Sequence, residues 1–325
     1  MTQSLRTETG MNELNYRDCA KLLQNSGDIL ILSHRNPDGD TAGSSAALCS
    51  ALRRAGKTAY MYPNPQIGGR ILKLCGKYFA PEDFEPGFTV AVDTADDKLL
   101  PEGYYGKAQL GIDHHPSNTG WCENLLLKAD RSSCGEIILE LIKSLAGKPT
   151  EEEATLLYMA LSTDTGCFRY GNTNARSFSA AAELVRCGAD TYTVNTDFFR
   201  KVTGARLKLE GEIFSSLRLY RGGKICVSVV TEEMLKRCGA DEDDCEDLAN
   251  LPNRLEGAEL AITIRETKNG GSKVSVRSGK EVSASKICAV LGGGGHDMAA
   301  GCSLSCPPEK AEEKLLAVID EVWKA

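Results

Sequence analysis

The segment GDILILSHRNPDGDTAGSSAALCSALRRAG, residues 27–56, carries the pattern that decides the fold. It begins with a short apolar run over 27–33, continues through a polar turn, and passes into helical spacing over 41–56 that stops at Gly56. A buried strand that leads through a loop into a helix is the first part of a β–α–β unit. We therefore predict a sheet of mostly parallel strands that is covered by helices.

The same alternation continues through the first half of the chain. Further patterns predict strands over 58–63, 88–93 and 108–113, and helices over 134–147, 151–166 and 175–190. This rhythm is typical of an α/β domain with a mostly parallel sheet. The segment 191–215 has few strand signals before it becomes helical, and we interpret it as a connection between domains.

The second half has a different pattern, which predicts a smaller α+β domain. Two apolar runs, 259–266 and 272–278, flank an Asn-Gly-Gly turn and indicate a β-hairpin. Another strand is predicted over 224–230, and a short helix, a glycine-rich return to a strand and an amphipathic terminal helix follow the hairpin. The chain is expected to divide into three parts: a first domain over 11–190, a linker over 191–215 and a second domain over 216–325.

The composition narrows the classes of partner. The chain has 325 residues, which is enough for two cores, and its formal net charge is −7. An acidic chain is poorly suited to long nucleic acid, because binding to its backbone depends on Lys and Arg, but one local pocket can still hold a small anion. The 13 cysteines form no CxxC pair, which is typical of buried, reduced thiols in the cytosol.

Membrane and targeting signals are absent from the sequence pattern. No apolar run approaches the roughly 18 to 20 residues that a spanning helix needs. Residues 1–10 are polar and lack the apolar core of a signal peptide. We therefore expect a soluble, cytoplasmic protein with no membrane partner, and we leave a homodimer open as its oligomeric state.

The histidines give the first indication of a functional site. All four lie in loop-like segments beside Asp or Gly. The first of them, His34, follows a predicted buried strand and precedes Asp38 and Asp40, at the end of a strand where ligands gather in parallel sheets. Taken alone, Pro-Asp-Gly-Asp is equally well explained as an ordinary turn and helix cap.

Other strand and helix ends carry the same kinds of side chain. Asp93 ends one predicted strand, Asp113 ends the next and is followed by His114 and His115, and Asp164 ends an apolar helix. Adjacent histidines point in different directions, so one can bind a metal while the other faces a substrate. Each feature alone has an ordinary explanation: a loop start, a surface histidine pair or a helix end.

Together these residues predict a site for two metal ions. Ligands that mix imidazole with carboxylate and lack cysteine suit Mn²⁺ or a similar labile ion better than structural zinc. Six ligands exceed what one open catalytic ion needs, but they suit two ions roughly 3.5–4 Å apart that share a carboxylate. Such a pair activates water for attack at phosphorus, so the pattern predicts a phosphoesterase.

Six motifs, in order along the chain, carry a resemblance to a known family. They are HRNPDGDTAGS (34–44), VDTAD (92–96), DHHPSN (113–118), STDTGCFRYGNT (162–173), VRSG (276–279) and GGGGHDMAAG (292–301). The chain resembles the DHH phosphoesterases of the DHH–DHHA1 type, and within them the small NrnA-like nanoRNases and pAp phosphatases. The resemblance implies a DHH catalytic domain, a DHHA1 substrate-binding domain and an active site in the cleft between them.

The resemblance also implies roles for residues of the first domain. His34 and Asp38 would hold one ion, Asp93 would bridge, and the second ion would be held by Asp40, His114 and Asp164. His115 would face the scissile phosphate as a charge stabiliser or proton donor, and Asp113 would orient a histidine. The ions would be two divalent metals, Mn²⁺ in the first place, with Mg²⁺ or Co²⁺ as alternatives.

In the second domain the implied role is substrate binding. Arg277 and Ser278 would recognise a phosphate, His296 would contact the phosphate or base, and the glycines before His296 would let the backbone approach a nucleotide: Gly292, Gly293, Gly294 and Gly295. Without the resemblance, a solvated arginine and a flexible linker explain these residues. Leu291 departs from the family, in which Phe is frequent, and the segment 283–286 differs from the commoner version with Asn.

The resemblance implies a small substrate. The expected activity is that of a metal-dependent phosphodiesterase, or exoribonuclease, and 3′(2′),5′-bisphosphate nucleotidase. It would hydrolyse short oligoribonucleotides (nanoRNA) to mononucleotides and 3′-phosphoadenosine 5′-phosphate (pAp) to AMP. A DNA exonuclease of the RecJ type needs further domains, and the related pyrophosphatases lack the Gly-Gly-Gly-His loop. Two alternatives remain: a phosphodiesterase for c-di-AMP or pApA, and a non-catalytic nucleotide-binding module on the same fold.

Overall fold

A computed structural model describes residues 11–245 and 247–324. Residues 1–10, whose polar character enters the prediction of a cytoplasmic location, lie outside this part. The chain forms two compact units, Met1–Lys201 and Val202–Ala325. Among the described residues, no helix is both long enough and apolar enough to cross a membrane. All 13 cysteines are free, and ten of them are buried.

The first unit contains one sheet of six parallel strands. The strands are β1 (Asn12–Glu13), β2 (Ile29–Leu32), β3 (Ala59–Met61), β4 (Phe88–Val92), β5 (Leu110–Asp113) and β6 (Asn124–Leu127). The helices are α1 (Tyr16–Asn25), α2 (Gly39–Arg54), α3 (Gly69–Cys75), α4 (Cys134–Ala146), α5 (Glu151–Asp164), α6 (Ala175–Arg186) and α7 (Thr191–Phe199). The strand order is β1-β6-β5-β4-β2-β3, with every pair parallel. The prediction of a mostly parallel sheet flanked by helices is therefore confirmed.

The core of this unit lies between the sheet and α2, α4 and α5. Alternate residues of β4, Val90 and Val92, pack into it together with Ile112 of β5, as the two-residue repeat of a strand requires. Helix α2 is buried along most of its length and packs against α5. A Cβ at Gly43 would lie 2.5 Å from the Leu156 carbonyl oxygen, so glycine allows the two helices to approach.

The second unit is an α+β fold with a mixed sheet. Its strands are β7 (Arg218–Tyr220), β8 (Ile225–Val230), β9 (Leu260–Glu266), β10 (Ser272–Ser278), β11 (Gly294–His296) and β12 (Ala299–Leu304). Its helices are α8 (Gly204–Ser215), α9 (Glu232–Cys238), α10 (Ala284–Val290) and α11 (Pro308–Val322). The order is β11-β12-β10-β9-β8-β7, in which only β8 and β9 of the described strands pair in parallel. The predicted hairpin is formed by β9 and β10.

Several elements were not predicted from the sequence pattern. They are β1, β6, β7, α1, α3 and α9. The segment 191–215, expected to be a connection, is largely helical, since it contains α7 and α8. Strand β6 matters for the site because it pairs with β5 on the side away from β4, and so places β5 inside the sheet.

Candidate metal centre

The candidate ligands of the first unit gather at the carboxyl edge of three neighbouring strands. His34 follows β2, Asp93 directly follows β4, and Asp113 ends β5. The order β5-β4-β2 places Asp93 between the other two segments. Asp93 adopts a left-handed conformation with φ of 57°, which Asp tolerates better than most residues, and the chain turns sharply there.

Asp38 is the N-cap of α2 and also lies beside His34. Its Oδ1 accepts hydrogen bonds from the backbone N–H groups of Asp40 (3.0 Å) and Thr41 (3.1 Å), which is the ordinary capping role. The same oxygen lies 3.8 Å from His34 Nε2. Burial raises the pKa of Asp38, but hydrogen bonding and the neighbouring imidazole outweigh burial, so its pKa is lowered. The cap and the candidate ligand are therefore the same carboxylate.

Asp40 is buried and held by the first turn of α4. Its Oδ2 accepts from the Cys134 N–H at 2.7 Å, and its Oδ1 accepts from the Gly135 N–H and the Ser44 hydroxyl, both at 3.0 Å. Burial raises the pKa of Asp40, and the nearby carboxylate of Asp93 raises it further. A divalent cation would relieve this repulsion.

His114 presents one ring nitrogen to three carboxylates. Its Nδ1 lies 3.2 Å from the carbonyl oxygen of Arg131, which can only accept, so Nδ1 carries the proton and Nε2 points to the carboxylates. The distances from Nε2 are 3.4 Å to Asp93 Oδ1, 3.8 Å to Asp40 Oδ2 and 3.8 Å to Asp164 Oδ2. Burial lowers the pKa of His114, but the three carboxylates outweigh it and raise the pKa to about 10.

Asp164 completes this group from the last residue of α5. Its side chain is 27% exposed, which leaves it accessible from solvent. Burial raises its pKa to about 7, although the His114 imidazole lowers it in part. The amide of Asn172 lies 3.5 Å from Asp164 Oδ2.

The two oxygens of Asp93 face different groups. Oδ2 lies 3.8 Å from His34 Nε2, whereas Oδ1 lies 3.4 Å from His114 Nε2 and from His115 Nδ1. Asp93 is 3% exposed, and Oδ1 is buried without a hydrogen-bond partner in the described part of the chain. A buried carboxylate oxygen without a partner is costly, and a cation would satisfy it.

The ligand atoms form two sets with the dimensions of metal sites. His34, Asp38 and Asp93 form one set, and Asp40, His114 and Asp164 form the other, with all ligand atoms of a set within 4.8 Å of one another. Ligand atoms that each lie about 2.1 Å from one ion are separated by roughly 3 to 4 Å. The residues present therefore fit divalent cations, with Asp93 Oδ1 directed to the second set.

His115 forms a further candidate group with Asp93 and His114, with ligand atoms within 4.8 Å of one another, but its Nδ1 is engaged by Asp113. Asp113 Oδ1 lies 2.8 Å from His115 Nδ1 and accepts hydrogen bonds from the N–H groups of both histidines, while Oδ2 accepts from Asn118 Nδ2 at 2.5 Å. The hydrogen bond that the ring donates to Asp113 raises the pKa of His115, and the ring is 35% exposed. Asp113 thus orients His115, whereas Arg131 orients His114.

The structure also brings to the centre residues that sequence reasoning missed. They are Asn118, Arg131, Cys134 and Asn172. Cys134 forms a group with Asp40 and Asp93, but its thiol donates to the Ile112 carbonyl, and burial raises its pKa. Asn118 and Asn172 lie within the motifs DHHPSN and STDTGCFRYGNT, so the sequence could have indicated both of them. Arg131 contributes its backbone carbonyl, which a pattern of side chains does not indicate.

In the second unit, the predicted substrate residues lie around strands β10 to β12. Arg277 Nε donates to Asn250 Oδ1 at 3.0 Å, and the Ser278 hydroxyl donates to the Asp297 carbonyl at 2.9 Å. His296 is exposed at the end of β11, whose partner is β12. Ser278 therefore ties the end of β10 to the turn that follows His296.

The four glycines before His296 have different roles. A Cβ at Gly293 would lie 2.2 Å from the Gly301 carbonyl oxygen, and one at Gly295 would lie 2.6 Å from the Ala299 carbonyl oxygen. Both positions need glycine for packing within the hairpin of β11 and β12. Gly292 has φ of 76° just after α10, and both Gly292 and Gly294 have open space where a Cβ would lie. Among these four, Gly292 and Gly294 are the positions where a ligand has room.

Comparison with known families gives two matches. Residues 28–161 match the DHH family, N-terminal domain, and residues 222–325 match the DHHA1 domain. The chain is 34% identical over 307 residues to the bifunctional oligoribonuclease and PAP phosphatase NrnA of Thermus thermophilus. That match covers 92% of this chain and 91% of the relative.

Two further relatives define the range of similarity. The cyclic-di-AMP phosphodiesterase PdeA of Listeria monocytogenes is 26% identical over 94% of this chain, but the match covers 49% of PdeA. The crystal structure of an exopolyphosphatase-related protein from Bacteroides fragilis superposes with a TM-score of 0.85 over 98% of both chains, at 22% identity. At that identity the structural likeness shows the fold alone.

Proposed function

The chain belongs to the DHH family and carries a DHHA1 domain, and from that premise we propose that it is a two-metal phosphoesterase for small nucleotide substrates. Its substrates are short oligoribonucleotides, cleaved to mononucleotides, and pAp, converted to AMP. The observation that carries the proposal is Asp93, whose two oxygens face two different histidines. The relative with 34% identity, named for both activities, supports the substrate class.

The proposed ligands are the six side chains described above. His34 and Asp38 would hold one ion, Asp40, His114 and Asp164 would hold the other, and Asp93 would be shared between them. Mn²⁺ suits this mixture of imidazole and carboxylate, with Mg²⁺ or Co²⁺ as alternatives. When bound, two such ions lower the pKa of a water molecule and neutralise charge on the phosphate.

The protein's own groups position the ligands and handle the proton. Asp113, to which Asn118 donates, holds the His115 ring through Nδ1, so that the other ring nitrogen is directed away from Asp113. We assign His115 to the scissile phosphate, where an imidazolium stabilises charge and donates a proton to the leaving oxygen. The hydrogen bond to Asp113 raises the pKa of His115, which favours the protonated ring.

The second unit supplies recognition of the substrate in this proposal. Arg277, held by Asn250, offers a planar guanidinium for a terminal phosphate. Ser278, His296 and the backbone of Gly293, Gly294 and Gly295 complete the substrate contacts. The net charge of −7 supports small substrates rather than long nucleic acid. We place the enzyme in the cytoplasm, without a membrane partner, and a homodimer is its proposed assembly.

A c-di-AMP or pApA phosphodiesterase is the nearest alternative. The relative named for c-di-AMP shares 26% identity, but about half of its length lies outside the match. A non-catalytic nucleotide-binding module is the alternative of another class. The presence of all six candidate ligands, with a buried carboxylate oxygen that a cation would satisfy, supports catalysis instead.

The substrates can be separated with one Mn²⁺-loaded preparation. We expect turnover of pAp and of a diribonucleotide, with c-di-AMP hydrolysed at least about tenfold more slowly, a difference of roughly 1.4 kcal/mol in the barrier. Equal rates for c-di-AMP and the dinucleotide would favour the nearest alternative. Binding of pAp without turnover of any substrate would favour the non-catalytic module.

A further inference from the structure

Beside the metal centre, the side chain of Asn172 joins two segments that carry candidate ligands. Its Nδ2 lies 3.1 Å from the carbonyl oxygen of Asp164, 3.5 Å from Asp164 Oδ2 and 3.2 Å from the carbonyl oxygen of Ser132. Asp164 lies at the end of α5, whereas Ser132 lies in the loop that precedes α4. One amide group thus contacts both segments.

The segment that contains Ser132 also contacts His114. Arg131, the residue before Ser132, accepts from the His114 ring at 3.2 Å and so directs the opposite nitrogen to the carboxylates. The contact is reciprocal, because the Ser132 hydroxyl donates to the Asn172 carbonyl at 2.8 Å. A shift between the two segments would therefore move His114 relative to Asp164, which are 3.8 Å apart in the same candidate set.

We propose that Asn172 is a positioning residue that fixes the separation of Asp164 and His114, and thereby the second metal site. The inference rests on the proposed two-metal function. Removal of a group that holds a metal ligand in place lowers metal affinity or activity by about 10- to 100-fold. Asn172 itself contacts neither a reacting atom nor a metal in this account.

An ordinary structural role is the competing explanation, because the same region starts helix α6. Asn174 caps α6, and the Ser132 hydroxyl also shares hydrogen bonds with Ser177 and Asn174. Substituting Ser132 would therefore disturb the helix start as well. Substituting Asn172 tests the proposal more specifically than substituting Ser132. Asn172 lies outside α6 and is exposed, so removal of its side chain leaves no cavity.

The test is Asn172→Ala in the full chain, with Mn²⁺ binding measured by titration calorimetry. We expect one of the two binding events to weaken by about tenfold, with the other unchanged. We also expect kcat for pAp to fall by a similar factor, with KM changing less than about threefold. Asn172→Asp removes the donors while it keeps the shape, and its second site should also fail to reach wild-type affinity.

The matched control is Asn15→Ala, which also removes a hydrogen-bonding asparagine from the first unit. Asn15 caps α1, so the control should lower the melting temperature and leave Mn²⁺ binding as in the wild type. Wild-type binding of both ions by Asn172→Ala would overturn the inference, as would an equal loss in the control. If the wild type binds two ions but hydrolyses no substrate, the proposed function is wrong. The positioning role of Asn172 is then still decided by the Mn²⁺ affinities of the wild type and Asn172→Ala.

Discussion

At the residue scale, the two adjacent histidines differ in the group that holds the Nδ1 atom of each ring. His114 is held through Nδ1 by the Arg131 carbonyl, and its Nε2 faces three carboxylates. His115 is held through Nδ1 by Asp113 instead. On this difference in hydrogen-bond partners we base the different roles that we propose for the two histidines.

This difference predicts opposite outcomes for two alanine variants. His114→Ala removes a ligand, so Mn²⁺ affinity should fall by at least about tenfold, and hydrolysis should fall with it. His115→Ala should retain Mn²⁺ binding but reduce kcat by about 100-fold, the usual contribution of a positioned acid. Calorimetry and steady-state kinetics on both variants check this prediction. The reverse pattern would mean that the two roles are exchanged.

The candidate ligands could be proposed from the sequence because each of them lies at or near an end of a predicted strand or helix. The groups that hold these candidate ligands in place could not be predicted from the sequence. Arg131 acts through a carbonyl oxygen, and Gly135 holds Asp40 through a backbone N–H across 95 positions of sequence. Such contacts follow from how α4 packs against the start of α2, which no local pattern contains.

At the scale of elements, the geometry of the candidate metal centre depends on the position of helix α2. Asp38 caps this helix and Asp40 lies in its first turn, so a shift of α2 would move both carboxylates. The helix packs against α5, which ends at Asp164. The contact between α2 and α5 thus sets the position of ligands from both helices.

Enlarging Gly43 should destabilise this contact. In Gly43→Ala the new methyl group would lie 2.5 Å from the Leu156 carbonyl oxygen, and such overpacking costs about 1–3 kcal/mol of unfolding free energy. Gly211→Ala, in the exposed face of α8 with open space around it, should instead stabilise its unit by about 0.5–1 kcal/mol. Urea unfolding of both variants measures whether each substitution raises or lowers the unfolding free energy. A neutral or stabilising Gly43→Ala would mean that α2 and α5 can separate without cost.

Strands β2, β4 and β5 were predictable because each lies in an apolar run, and α2, α4 and α5 because each has helical spacing. Strands β1 and β6 were not predicted. Strand β6 contains four residues, Asn124–Leu127, and its role follows from pairing with β5 rather than from its own pattern. Strand β1 has two residues and exists through its pairing with β6.

At the scale of the whole molecule, the first unit concentrates negative charge at one edge of its sheet. Asp40, Asp93 and Asp113 are each 3% exposed or less, and Asp38 and Asp164 lie beside them. Mutual repulsion among buried carboxylates opposes folding, and it raises the pKa of Asp40 after the larger effect of burial. The unfolded chain does not bring these residues together, so a cation would bind the native state selectively.

Metal binding should therefore stabilise the protein. At a free Mn²⁺ concentration of about 100 times Kd, one site adds roughly 2.7 kcal/mol to the unfolding free energy. We expect the melting temperature of the first unit to rise with Mn²⁺ and to fall after treatment with EDTA, as measured by calorimetry. A melting temperature that is independent of Mn²⁺ would contradict the assignment of a native metal centre.

The division into an α/β part and a smaller α+β part followed from the change of hydrophobic period along the chain. The substrate residues of the second unit were less well determined. Gly293 and Gly295 are needed for packing of the hairpin, so their presence in the sequence does not by itself indicate a ligand. Sequence patterns do not separate a glycine that packs from one that binds.

The most direct test of the two-metal account is the Mn²⁺ stoichiometry and activity of Asp93→Asn. Asparagine keeps the size of the side chain and tolerates the left-handed backbone at this position, so the fold should remain intact. We predict two Mn²⁺ per chain in the wild type, and in the variant the loss of at least one ion together with about 100-fold or more of the hydrolysis rate. A variant that binds two ions and hydrolyses pAp or a dinucleotide at close to the wild-type rate would contradict the account.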